Sequence, residues 1–134
     1  MLVDSHCHID FPELVGDFAG LLSRARDAGV GHLLCVSVNL SDFPAMLALA
    51  GRSERISASV GVHPNTALED GEEPSVETLA DLAANRKVVA IGETGLDYYR
   101  DDCDPDIQRE RFTRHIRAAL HVGKPLIIHT RSAA

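Results

Sequence analysis

The chain has 134 residues, 45% hydrophobic and 25% charged, which suits one domain with a sizeable core, and no apolar run approaches the roughly 20 residues that span a bilayer. Its formal charge of −7, with no Lys/Arg-rich stripe, excludes a surface built to coat nucleic acid. It leaves open the local capture of a phosphate by bound cations, which are often the largest charges in a site.

In chain order, Leu2-Val3 forms an apolar strip that runs into the polar cluster Asp4-Ser5-His6-Cys7-His8. Phe18, Leu21, Leu22, Ala25 and Ala28 then recur at helical spacing, with Gly29 as the stop. Leu33-Leu34-Cys35-Val36 reads as a buried strand, and Ser41 as the N-cap of a helix carrying Phe43, Met46, Leu47 and Ala50. Ile56 to Val62 reads as a strand, the acidic stretch Glu69 to Glu73 as a solvated loop, and Val76, Leu79, Ala80 and Ala83 as a helical stripe. Val88-Val89-Ala90-Ile91 is a fourth strand. Asp104 and Pro105 open the longest helix, with Phe112, Ile116, Ala119 and Leu120 facing inward and Gly123 ending it. Pro125-Leu126-Ile127-Ile128 is the fifth strand.

Five strands alternating with four helices, in units of roughly 30 residues, predict parallel βαβ units in a single α/β domain over residues 1–134. An open doubly wound sheet and a barrel both fit that alternation. Polar residues at nearly every strand end (His6 and His8, Asn39, His63, Glu93, His129) tilt the choice to a TIM-type (β/α) barrel, whose C-terminal face gathers ligands from several strands. The barrel is incomplete, because eight units and about 250 residues are usual. Its Leu2-Val3 and Leu126-Ile128 edges are expected to be unpaired.

His6 and His8 lie two apart in a strand, so they project together and can bind one divalent ion while Cys7 points away. Glu93 follows four buried-type residues, where a carboxylate is costly to desolvate unless paired or bound to metal, and Gly92 and Gly95 beside it permit close backbone approach. His129 follows an apolar strand in the same way. Together these are ligand types for Zn²⁺ or a similar ion. His63, in Gly61-Val62-His63-Pro64, is a candidate substrate contact or a turn stabiliser, and Arg131 a candidate phosphate contact or a surface charge. His32, His115 and His121 read as structural or solvated residues in helices or loops. Cys7, Cys35 and Cys103 form no CxxC pair and have no base partner in sequence, which predicts reduced thiols in a cytoplasmic protein.

Val3-Asp4-Ser5-His6-Cys7-His8-Ile9-Asp10, Gly61-Val62-His63-Pro64, Gly92-Glu93-Thr94-Gly95-Leu96-Asp97-Tyr98-Tyr99, Gln108 with Phe112, and Pro125 to Arg131 together resemble TatD-type deoxyribonucleases of the amidohydrolase superfamily. The motifs span the chain in family order, and the Glu93 segment is the most specific. The resemblance implies a βα barrel with two divalent ions (Mg, Mn or Zn). His6 and His8 would bind the first, Glu93 would bridge both as the catalytic carboxylate, and His129 would bind the second. It implies hydrolysis of phosphodiester bonds in DNA by metal-activated water. Family members add a histidine and an aspartate from later strands, to which these 134 residues have no match. The alternatives are therefore an inactive truncated fragment, or a hydrolase of another small ester or amide.

Overall fold

The first and fifth strands of the chain are the two edges of one parallel sheet, and everything in the site depends on how that sheet bends. The computed structural model describes residues 1–100 and 102–134. Its elements are β1 (Leu2–Cys7), α1 (Pro12–Val15), α2 (Phe18–Asp27), β2 (Val30–Cys35), α3 (Phe43–Ala50), β3 (Ile56–Val60), α4 (Val76–Ala83), β4 (Val88–Asp97), α5 (Pro105–Val122) and β5 (Leu126–Arg131). The strands pair in sequence order, each with the next and all parallel, as consecutive βαβ units dictate. Helices cover one side, where Met46, Ile56, Ala58, Leu79, Ala83, Val88 and Ile91 are buried in one core cluster. Each large apolar side chain there contributes about 1.5–3 kcal/mol through burial.

The sheet is curled. Three strand spacings separate β1 from β4, about 14 Å in a flat sheet. Yet His6 Nε2, at the end of β1, lies 3.3 Å from Glu93 Oε2 on β4. This is an arc of a (β/α) barrel, with its concave face gathering the strand ends. β1 and β5 pair on one side only, and Leu2 (63% exposed) and Ile128 (55% exposed) sit on those open edges, as the sequence predicts.

Several elements differ from expectation. A short helix, α1, begins at Pro12 behind Phe11, giving five helices among the described residues where the periodicity predicts four. β1 carries on through the polar cluster to Cys7, and β2 starts at Val30, so His32 is a strand residue whose Nε2 meets Ser57 Oγ at 2.7 Å. Ser41 does not cap α3. That helix starts from Asp42, whose N–H donates to Asn39 Oδ1 at 2.7 Å, so the strand-end Asn39 organises a helix start. Asp104 and Gly123 do bound α5, with Asp104 Oδ1 accepting from Asp106 N and Gly123 at φ +68°.

The inward face of α5 is the largest correction. Leu120 is 78% exposed, Phe112 and Ile116 are half-buried, and the buried residues are Gln108, Arg111, His115, Ala118 and Ala119. The three polar members hold backbone. Gln108 donates to Asp97 O and accepts from Asp97 N. Arg111 donates to the carbonyls of His63 (2.7 Å) and Thr66 (3.0 Å) and pairs with Glu73, so that part of the predicted solvated loop is tied to the core. His115 Nε2 accepts from Val62 N at 3.0 Å. Buried loop backbone needs partners, and this helix supplies them from side chains.

Candidate metal centre

His6 is next to last in β1 and His8 just past it, but Glu93 and His129 stand inside β4 and β5, which run on past the strand ends the sequence predicts, and His6 and Glu93 sit where the ladder skips. Between Asp4 and Cys7, β1 advances three residues while β2 advances two, and between Gly92 and Thr94, β4 advances two while β5 advances one. One extra residue per skip is a bulge, which re-aims a side chain and is common beside active sites. His6 and Glu93 lie in these two bulges. Gly92 and Gly95 take φ of +141° and +143° and press against the Ile127 and His129 backbone, conformations that a side chain at either position would strain.

The predicted pair His6 and His8 does project to one side, with ring centroids 5.3 Å apart, while Cys7 turns away and its Sγ donates to Leu34 O. His8 Nδ1 lies 3.0 Å from Val36 O. A carbonyl only accepts, so Nδ1 carries a proton and Nε2 is the nitrogen left to ligate. That Nε2 points to Glu93 Oε2 at 3.9 Å. Phe11 stacks on the His8 ring at 4.7 Å and fixes its plane.

Glu93 is only 6% exposed, and its carboxylate is bordered by imidazoles. Oε2 faces His6 and His8, whereas Oε1 lies 3.1 Å from His129 Nδ1. His129 turns its other nitrogen, Nε2, to Asp97 Oδ2 at 2.9 Å. His63 joins this side. Its ring centroid is 4.4 Å from that of His129, and its Nδ1 accepts from Asn65 N at 3.0 Å. Burial pushes the His63 imidazole below its usual pKa range, against the opposing pull of the Glu93 charge.

Two donor sets result, His6/His8/Glu93 and His63/Glu93/His129, with the donor atoms of each within 4.8 Å of one another. Imidazole nitrogens converging on one shared, buried carboxylate are a donor set that divalent transition ions take. The residues present therefore fit divalent-ion binding, and Glu93 belongs to both sets. His63, expected to meet substrate, stands within donor reach of the second set. Arg131, expected to meet phosphate, instead directs Nε and Nη2 at Asp97 Oδ2, both at 3.1 Å, and lies over the Tyr99 ring at 4.6 Å.

Asp97 escaped the sequence reading as a site residue. It is fully buried and accepts from His129, Arg131, Asn65 Nδ2 (2.8 Å) and Tyr99 N (3.1 Å). Burial alone would raise its pKa, but the hydrogen bonds from Arg131 and His129 hold the carboxyl well below the usual range. Its signal was the period of two: residues 93, 95 and 97 share a strand face. The three cysteines stand outside both donor sets. Burial pushes the Cys7 and Cys35 thiols up to about 12 and raises Cys103 also.

Comparison with known proteins agrees with the fold. The family model of TatD related DNase matches residues 3–134. The "uncharacterized metal-dependent hydrolase YcfH" of Escherichia coli K12 is 40% identical over 135 residues, covering 98% of this chain and 50% of YcfH. The similarly described TatD of Mycobacterium tuberculosis is 37% identical over 141 residues, covering 98% of this chain and 52% of its own length. In solved structures, the TatD homologue YjjV of E. coli K12 superposes with a TM-score of 0.87 at 34% identity, over 98% of this chain and 51% of YjjV. The chain thus spans about half the length of the relatives it matches. With its family model matched from residue 3 to residue 134, the chain belongs to the TatD related DNase family.

Proposed function

We propose that this chain supplies the first part of the centre of a hydrolase that cleaves phosphodiester bonds of DNA with two divalent ions (Mg, Mn or Zn). The observation that carries the reading is the division of Glu93: one carboxylate oxygen faces His6 and His8, the other faces His129. His6 and His8 would hold the first ion, Glu93 both, and His129 the second, with His63 in reach of the second. Such ions, when bound, lower the pKa of water and stabilise charge on phosphoryl oxygens. The protein's own part is to present imidazole nitrogens, keep the Glu93 carboxyl buried between them, and leave the concave face open to substrate. Tyr99, 70% exposed and stacked with the Arg131 guanidinium, offers a ring on which a base can stack. Arg131 Nη1, which has no hydrogen-bond partner among the described residues, is the group of that residue left to meet a phosphate.

A cytoplasmic location goes with this reading, supported by three free thiols. No described helix is long and apolar enough to cross a membrane. A smaller ester or amide is the second reading, favoured by the charge of −7, which suits a compact substrate better than a long polyanion.

The test is incubation with labelled single-stranded DNA, with and without Mn²⁺ or Mg²⁺, beside a panel of small phosphoesters and cyclic amides. Metal-stimulated DNA cleavage that disappears in Glu93→Ala supports the reading. No metal-stimulated cleavage of DNA, with hydrolysis of a small ester or amide instead, transfers it to the second.

A further inference from the structure

We infer that Asp97 is a positioning residue for the metal centre: it holds the His129 proton on Nε2 and so presents Nδ1 as the metal-binding nitrogen. This rests on the metal reading above and assigns a role to a residue that is not itself a ligand.

His129 has carboxylates at both ring nitrogens, Asp97 Oδ2 at 2.9 Å from Nε2 and Glu93 Oε1 at 3.1 Å from Nδ1. A histidine that ligates a cation offers a lone pair from one nitrogen and keeps its proton on the other, so as a ligand His129 would donate to one of these carboxylates and turn its other nitrogen to the ion. Which nitrogen keeps the proton is decided by the more firmly held carboxylate. Asp97 is fully buried, and its backbone N–H and C=O are both bound by Gln108 from α5. Its side chain is steadied further by Asn65 Nδ2 and by Arg131. Glu93 Oε2, in contrast, faces the His6 and His8 imidazoles at the end of β1 and just past it, so that carboxylate is the one shared among would-be ligands.

His8 provides an internal comparison. Its Nδ1 is committed to Val36 O and its Nε2 is turned to Glu93. His129 uses the opposite nitrogen for the same carboxylate, and the difference follows from where the second partner stands. A carboxylate or carbonyl behind a ligating histidine sets the tautomer and ring orientation and raises ligand basicity. Asp97 occupies that place with a full negative charge.

Two measurements test this. In the zinc-loaded, ¹⁵N-labelled parent protein, NMR should show the His129 proton on Nε2 with the metal on Nδ1. The reverse assignment overturns the inference with no substitution needed. In Asp97→Asn, whose fold is checked by circular dichroism, Zn²⁺ and Mn²⁺ affinity by calorimetry should fall about 10–100-fold. Binding within about twofold of the parent by a folded variant overturns it as well. A parent protein that binds no metal at all removes the metal reading itself, an outcome visible before any variant is made.

Discussion

Glu93 lies between His6 and His129, 3.3 Å from Nε2 of one and 3.1 Å from Nδ1 of the other, each through a different carboxylate oxygen. The two histidines come from opposite edges of the sheet, so a single carboxylate joins what the topology places farthest apart.

Replacing Glu93 by Gln keeps its shape and removes its charge. Both donor sets share that residue, so both should fail together. On the two-ion reading proposed above, bound metal per chain, measured by elemental analysis after dialysis, should fall from two towards zero. The loss of affinity should be at least the about 10–100-fold typical of removing a mere outer partner. One ion retained at parental affinity would show that the sets are independent of Glu93.

His8→Ala and His129→Ala should behave differently from Glu93→Gln. Each removes a donor from one set only. Stoichiometry should fall from two to one in either variant, and the double variant should lose both. Parental stoichiometry in the His8 variant would take that residue out of the ligand set.

His115 predicts a pH dependence of stability. Burial pushes its pKa down to about 4 from an ordinary 6.5, and it is held neutral with Nε2 accepting from Val62 N. The unfolded chain binds a proton near 6.5 that the folded chain refuses until about 4. Its contribution is therefore complete above 6.5 and is lost as pH falls through that window, up to about 3 kcal/mol. Urea titrations at a series of pH values should show this slope in the parent and its loss in His115→Gln. Identical slopes in the two proteins would refute the assignment.

Arg111→Met should cost about 3–5 kcal/mol, because Glu73 and the His63 and Thr66 carbonyls are left without their donor. Glu73→Gln should cost less, since that carboxylate is partly exposed. Chemical denaturation reads both. A loss below about 1 kcal/mol for Arg111→Met would place the pair in the class of surface ion pairs.

Cys35 should resist alkylation in the folded protein. Burial, with the neighbouring Asp10 charge, pushes its thiol up to about 12, so almost no thiolate exists at neutral pH. Mass spectrometry after brief iodoacetamide treatment should find Cys35 unmodified in buffer and modified in urea.

Much of this was legible in the residues. Strand alternation predicted the common direction of His6 and His8, whereas the apolar runs before Glu93 and His129 predicted strand ends at residues that lie inside β4 and β5. What pattern reading missed was the polar scaffolding. Gln108, Arg111 and His115 recur on one face of α5, but hydrophobic periodicity assigns such residues to solvent. It favoured Phe112, Ile116 and Leu120, of which Leu120 is the most exposed. A side chain whose partner is a distant loop carbonyl leaves no local trace. The bulges at His6 and Glu93 were equally hidden, because register belongs to two strands at once. Asp97 had a visible position but no visible partner, since Arg131 and His129 reach it only across the β4–β5 ladder.

The curl of the sheet has a mechanical consequence. An ion gripped by His6 from β1 and Glu93 from β4 is a tie across the chord of an arc, and any flattening of the arc stretches it. Metal occupancy and curvature are then one coordinate. Ions should stiffen the strands between the donors, including β2 and β3, which carry no ligand of the first set. Slower amide exchange in β2 and β3 on adding metal would be the trace of that tension.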